Sequence, residues 1–276
     1  MSMDRDNLKI VFIGAGNVAT HLSQAMNESG FLIRQVYSRD IKNAKSLAQK
    51  LKLDSAMNYL YTSDIKSIVK DADIYFFSVP DDVLPAIIAE MPANDGLWVH
   101  TSGSVPLHVF RGYTKRYGVI YPLQTFSKQR CIDFSRIPLL IEANSASDKA
   151  LLNRIAACLS DKVINMTSNK RKHLHLAAVF ACNFSNHLYT ISSDMLKIQR
   201  IDWRLLQPLI DETTGKLYAM TPVEAQTGPA VRNDKAIMER HLSMLDNEHI
   251  RQLYALLSEN IQVRHKIKKK NKHDKL

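Results

Sequence analysis

Lys9-Ile10-Val11-Phe12-Ile13-Gly14-Ala15-Gly16-Asn17-Val18-Ala19-Thr20-His21-Leu22 decides the fold. Four apolar residues, Ile10 to Ile13, run into a glycine turn, and the turn runs into a helix-compatible stretch. That is the order a dinucleotide site needs. Gly14 permits the tight turn out of the strand, and Gly16, without a Cβ, lets the backbone approach a pyrophosphate. Ala19 takes the third position, where a small residue lets helix and strand pack closely. Amides from Asn17 and Val18 onward are expected to point at phosphate oxygens. A glycine pair often makes only a turn. Here it leaves a buried-type strand, opens a helix and is followed by a second strand, the context the motif requires.

Working outward, Phe31–Tyr37, Asp73–Pro80, Leu97–His100, Gly118–Tyr121 and Pro138–Glu142 read as strands, with a further strand near Val163. Helical stretches at Ile41–Leu51, Asp82–Glu90 and Asp148–Leu159 fall between them. A short extended piece is expected at Tyr59–Tyr61, and a helical turn or two at Asp64–Lys70. Strands alternating with helices predict a doubly wound parallel sheet of Rossmann type. Beyond Thr167 the texture changes. From Lys170 to Lys197 there is no Gly or Pro, and apolar residues keep helical spacing; Leu205–Met220, Asp234–Leu245 and Asn247–His265 continue the helical character. The expected organisation is an α/β dinucleotide-binding domain over residues 7–166, an all-helical substrate and dimerisation domain over 167–263, and a basic tail over 264–276.

The chain has 276 residues and a net charge of +10, of which +6 sits in the tail from Arg264, leaving a modest +4 elsewhere. A terminal charge run is usually a solvated, frayed helix end, so nucleic acid is not the expected partner. No apolar run approaches the length of a membrane span. Cys131, Cys158 and Cys182 are scattered, with no C-x-x-C spacing, and predict reduced thiols in a cytoplasmic protein and no metal site.

An acidic residue about twenty positions after the glycines would bind the ribose hydroxyls of NAD. Here the second strand ends in Tyr37-Ser38-Arg39. Ser38 can donate a hydrogen bond and Arg39 can pair with a 2′-phosphate, which predicts NADP. Asp40 opposes that reading: it would repel such a phosphate or serve NAD, which stays open as the alternative.

Ligands of open α/β sheets sit beyond the carboxyl ends of the strands. Three segments leave strands there: Ser78-Val79-Pro80, beside the expected nicotinamide ribose; His100-Thr-Ser102-Gly-Ser104; and Tyr121-Pro-Leu-Gln124-Thr125-Phe126. His100 and Ser102 are candidate catalytic groups, although a histidine at a strand end is as readily structural. On the long helix His175, Asn183 and Asn186 interrupt apolar sequence. His175 and Asn183 are eight residues apart, about 80° from a common face in an ideal helix. Polar amides beside Ala177, Ala178 and Phe180 need partners, either across a cofactor cleft or between helices. In Thr227-Gly-Pro-Ala-Val-Arg232-Asn-Asp234, Arg232 is a candidate anchor for a substrate carboxylate, which it can grip bidentately.

The Gly14 turn, His100–Ser104, Tyr121–Phe126, Ala177-Ala-Val-Phe-Ala-Cys-Asn183 and Thr227–Asp234 together resemble the Rossmann-like proteins that carry a C-terminal domain of unknown function, DUF2520. The resemblance runs from about Leu8 to Tyr254. It implies an NADP-dependent oxidoreductase and a homodimer, near pyrroline-5-carboxylate reductase, the F420-dependent NADP reductases, ketopantoate reductase and the β-hydroxyacid dehydrogenases. The last group places a Lys and an Asn four residues apart on its long helix. This chain offers only Arg171 with His175, or Val179 with Asn183, so no catalytic lysine maps; Lys170 and Lys172 read as solvated. His175 is therefore the expected acid, since an imidazole can protonate the atom receiving a hydride, and Asn183 would orient the substrate. A keto- or imino-acid type substrate follows from the resemblance. Nothing in the sequence calls for F420 as the hydride partner. The rival reading is a dinucleotide-binding sensor or partner-binding protein without turnover. Convergence of His100, His175 and Asn183 near the nicotinamide ring would favour the enzyme, and their burial among helices would favour the rival.

Overall fold

The computed structural model describes residues 8–52 and 60–273. Asn7, Tyr59 and the last three residues of the basic tail lie outside the described residues. The chain forms two compact units, Met1–Leu188 and Tyr189–Leu276.

The first unit is built on an eight-stranded sheet: β1 (Lys9–Ile13), β2 (Leu32–Tyr37), β3 (Tyr61–Thr62), β4 (Ile74–Phe77), β5 (Leu97–His100), β6 (Tyr117–Pro122), β7 (Leu139–Ala143) and β8 (Val163–Asn165). Their spatial order is β3-β2-β1-β4-β5-β6-β7-β8. The first six follow the Rossmann order, which reverses direction between β1 and β4 and leaves a crevice at the carboxyl ends there. Helices α1 (Asn17–Glu28), α2 (Ile41–Lys50), α3 (Leu84–Glu90) and α4 (Ala146–Ala157) cover the sheet.

Apolar runs such as Ile10–Ile13 are continuous because both sheet faces are covered. Ile10 and Phe12 pack on one side with Leu22, Met26 and Phe76; Val11 and Ile13 pack on the other with Tyr75, Phe77, Leu84 and Trp98. Alternate residues of one strand thus feed opposite cores.

The sheet departs from the expected all-parallel arrangement at one place. β6 pairs antiparallel with β7, whereas every other neighbouring pair is parallel. Residues 123–138 hold only a short 3₁₀ turn, Phe134–Arg136. Without a crossover helix the chain returns beside β6 in the opposite sense.

The first unit also extends past the expected boundary at 166/167. Helix α5 (Ser168–Ala178) is fastened to the sheet by Arg171, which pairs with Glu142 of β7, and by Leu174, which packs on Val119, Tyr121 and Leu140. A π-helical segment, Val179–Phe184, joins α5 to α6 (Ser185–Ile198).

The second unit is helical: after α6 come α7 (Gln207–Gly215), α8 (Pro222–Ala225), α9 (Pro229–Arg232), α10 (Lys235–Ser243) and α11 (Glu248–His273). The basic tail continues α11 as far as His273. No helix among the described residues is long and apolar enough to cross a membrane.

Candidate functional site

Gly14 leaves β1 with φ +110°, and a Cβ there would stand 2.2 Å from the carbonyl oxygen of Ser78. Both the turn and the closeness of β1 to the end of β4 exclude a side chain. Gly16 differs: its φ is −77°, and an added Cβ would meet nothing within 4 Å. The protein itself would accept a larger residue at Gly16, so the space above it is free for a ligand. No side chain caps α1, which begins directly after Gly16, so its first amides face outward.

A cavity of about 220 Å³ opens over this turn, and Gly14, Gly16, Ser38, Arg39, Val79 and Pro80 all line it. Asp40, the residue that opposed NADP, does not. Its carboxylate accepts the Lys42 backbone N–H at 2.9 Å and the Asn43 side-chain amide at 3.2 Å, capping α2. Asn43 and Lys128 also line the cavity wall.

Lys128 reaches that wall from the loop after β6. Asn17 Nδ2 donates to the Phe126 carbonyl at 2.9 Å, and His21 Nε2 donates to the Ser127 carbonyl at 3.0 Å. The His21 ring also stacks on Phe126, with centroids 5.0 Å apart. Thus α1 grips two consecutive residues and presents the next one.

Asn17 and Val18 line a second cavity, of about 420 Å³, with Tyr121, Gln124, His175 and Asn183. Gly16 lines the first cavity and Asn17 the second, so consecutive residues at the start of α1 belong to the two walls. His175 and Asn183 share the second cavity although an ideal helix would hold them about 80° apart. The π segment resolves this: a turn of about 3.6 residues followed by one of about 4.4 consumes the eight residues between them.

His175 is held on two sides. The Tyr121 hydroxyl lies 2.9 Å from its Nδ1, with the rings edge to face at 5.7 Å. Gly103 packs against it so closely that a Cβ would stand 2.6 Å from Nδ1. One turn earlier Arg171, 1% exposed, donates to Glu142 Oε2 and to the Val105 carbonyl, each at 2.6 Å. Glu142 also accepts from the Ser168 backbone N–H and hydroxyl. Burial pushes the Tyr121 phenol up from its ordinary value, Asp81 adds to that rise, and Arg171 opposes it. Tyr121 is therefore a neutral phenol at physiological pH.

His100 and Ser102 line neither cavity, and the full burial of His100 runs against the expectation that it meets a substrate. His100 is fully buried beside Phe110, and its Nδ1 accepts the Ser102 backbone N–H at 3.2 Å. Burial, and secondarily the Arg171 charge, lower its pKa to about 3. The Ser102 hydroxyl oxygen accepts the backbone N–H groups of Ser104 and Val105, each at 3.0 Å. Both residues shape the loop that brings Gly103 against His175. Arg232 is exposed at the end of α9 in the second unit, where Asp234 caps α10. Among the described residues no cluster of His, Cys, Asp and Glu is arranged to hold a metal ion, and the three cysteines are free thiols.

Sequence reasoning did not find Asn43, Lys128 or the partnership of Tyr121 with His175. Tyr121 had stood out only as part of a strand exit. The other two had no signal, because a loop path and a helix cap bring them to the cavity.

Residues 9–99 match the family model described as NADP oxidoreductase, coenzyme F420-dependent, and residues 137–261 match the domain of unknown function DUF2520. A crystal structure from Bacteroides fragilis, which carries a provisional NADP oxidoreductase assignment, is 43% identical over 94% of this chain and 99% of its own, with a TM-score of 0.86. A Thermotoga maritima protein is 21% identical over 94% of this chain and 99% of its own, with a TM-score of 0.68. NADP-bound pyrroline carboxylate reductase from Plasmodium falciparum shares the fold, with 10% identity over 94% of this chain and 99% of its own and a TM-score of 0.57. No protein of curated function matches the chain.

Proposed function

Because the chain belongs to the Rossmann-type NADP oxidoreductases that carry a DUF2520 domain, we propose that it transfers a hydride between NADP(H) and a small keto- or imino-acid type substrate. The observation that carries this reading is that consecutive residues at the start of α1, Gly16 and Asn17, line two cavities, one over the glycine turn and one holding His175 and Asn183. The dinucleotide, when bound, supplies the hydride chemistry. Gly14, Gly16 and the first amides of α1, at Asn17 and Val18, cradle the pyrophosphate, and Val79 and Pro80 form the facing wall. Ser38, Arg39, Asn43 and Lys128 hold the 2′-phosphate, a preference over NAD supported by the engagement of Asp40 in capping α2. His175 donates a proton to the substrate atom that gains the hydride, and Asn183 orients the substrate. Arg232, within the helical unit, is proposed as a carboxylate-binding residue on its exposure and forked donor geometry alone.

A homodimer through the helical unit is part of the proposal. Large apolar side chains stand exposed there, among them Ile198, Leu205 and Tyr218, an excess that monomeric surfaces rarely carry. Light scattering at micromolar concentration should give twice the chain mass.

The test is a titration of purified protein with NADPH and NADH, followed by a panel of keto and cyclic imino acids scored for NADPH oxidation. The expected result is tighter binding of NADPH and oxidation by at least one compound. NADPH binding without oxidation across the panel would favour a sensor. Binding of neither nucleotide would overturn the reading from Gly14 onward.

A further inference from the structure

The hydrogen bond between Tyr121 and His175 has a direction, and the direction determines which ring nitrogen the cavity meets. The Tyr121 oxygen lies 2.9 Å from His175 Nδ1, and either group could donate in principle. Two facts separate the cases. Tyr121 is largely buried and keeps its proton at neutral pH, and among the described residues His175 Nδ1 is the hydrogen-bond partner its hydroxyl has. If Nδ1–H donated to the phenol oxygen, the phenolic proton would have no protein acceptor among the described residues. If the phenol donates to Nδ1, its proton has a protein acceptor and the imidazole carries its own proton on Nε2.

Gly103 fixes which edge of the ring remains open. A Cβ on Gly103 would stand 2.6 Å from Nδ1, 2.7 Å from Cγ and 2.9 Å from Cβ of His175. The Nδ1–Cγ side of the ring is therefore covered by backbone, and the Nε2 side is left for the cavity that His175 lines. Beneath the ring the Arg171–Glu142 pair pins α5 one turn away.

We propose that Tyr121 is a positioning residue for His175: its hydroxyl donates to Nδ1 and holds the neutral ring in the tautomer whose Nε2–H faces the cavity. The chemical use of that N–H, as a hydrogen-bond donor to the substrate atom that gains the hydride, rests on the proposed role of His175; the tautomer itself does not. Tyr121 touches no reacting atom in this account. It ensures that a neutral His175 always presents a donor and never a lone pair.

The experiment uses the full chain with ¹⁵N-labelled histidine and long-range ¹H–¹⁵N correlation spectra above pH 7.5, where the two ring nitrogens report the tautomer separately. The chain has ten histidines, and His175→Gln identifies the relevant signals by their loss. The expected wild-type result is a single tautomer at His175, protonated on Nε2. In Tyr121→Phe, which keeps the ring-to-ring packing, the two nitrogen shifts should move toward one another as tautomers mix. A wild-type ring protonated on Nδ1 would overturn the proposal, and so would an unchanged spectrum in Tyr121→Phe. The wild-type spectrum decides the first point even if the variant does not fold. Failure of the functional reading looks different: NADPH oxidation by pyrroline-5-carboxylate, or by whichever panel compound reacts, would run at the wild-type rate in His175→Gln while the tautomer result stood.

Discussion

Replacing Arg171 with methionine keeps the length of the side chain and removes its charge. The guanidinium is 1% exposed, and its partner Glu142 has a side chain 17% exposed, so the bond between them is nearly dry. The variant strands the Glu142 carboxylate with only the Ser168 backbone N–H and hydroxyl as donors, and it leaves the Val105 carbonyl without the donor it has now. Breaking one partner of a buried pair costs about 3–5 kcal/mol. The double variant Arg171→Met/Glu142→Leu removes both charges, and buried pairs replaced by apolar groups are often neutral. It should therefore be more stable than the single variant by about 1 kcal/mol or more, less what Ser168 loses with its Glu142 acceptor. Urea unfolding followed by tryptophan fluorescence measures this. The two tryptophans, Trp98 and Trp203, fall one in each unit, so a Trp203→Phe background leaves buried Trp98 as the sole reporter on the first unit. A cost below about 1 kcal/mol for Arg171→Met, or an equal cost for single and double variants, would refute the argument that this pair fastens α5 to the sheet.

The two glycines of the turn should separate stability from binding. Gly14→Ala meets a +110° φ and the Ser78 carbonyl and should lower the melting temperature by several degrees, whereas Gly16→Val should leave it unchanged and weaken NADPH binding about tenfold or more in calorimetry, about 1.4 kcal/mol. Lys128→Ala and Arg39→Ala should each raise the Kd for NADPH about tenfold with little change for NADH; equal losses for both nucleotides would move these side chains away from the 2′-phosphate. The buried His100 resists protonation down to about pH 3, whereas its unfolded counterpart titrates near 6.5. The unfolded state then binds the extra proton in that window, so stability falls as pH drops from 6.5 toward 3, by at most about 1.4 kcal/mol per unit. His100→Asn should flatten this slope in acid unfolding, and an unaltered slope would assign the acid sensitivity to other groups.

What the sequence revealed followed physical period. Continuous apolar runs such as Ile10–Ile13 and Ile74–Phe77 identify strands buried on both faces, and the Gly14 turn fixes what lies at their ends. The direction of β7 was not legible, because it depends on the absence of a helix in residues 123–138 rather than on any strand residue. The common cavity of His175 and Asn183 was hidden by a single extra residue in one turn, which hydrophobic periodicity does not register across Val179–Phe184. Arg171 sits in the charged run Lys170-Arg171-Lys172, whose two lysines read as solvated. The middle residue is instead buried, because Glu142, nearly thirty positions earlier, lies beneath it. His100 misled in the opposite direction: a polar residue at a strand end suggests chemistry, yet the aromatic packing of Phe110 closes over it.

The two bonds from α1 to the loop after β6 have a mechanical consequence. Asn17 and His21 stand one helical turn apart and hold the carbonyls of adjacent residues, Phe126 and Ser127. Two clamps on neighbouring links set the heading of a chain as well as its position, so this stretch has no pivot on which to swing. That flank of the dinucleotide cavity is a fixed jamb, not a door. A nucleotide arriving there need not wait for the loop to open, and its capture should follow collision frequency and charge, slowing as salt is added.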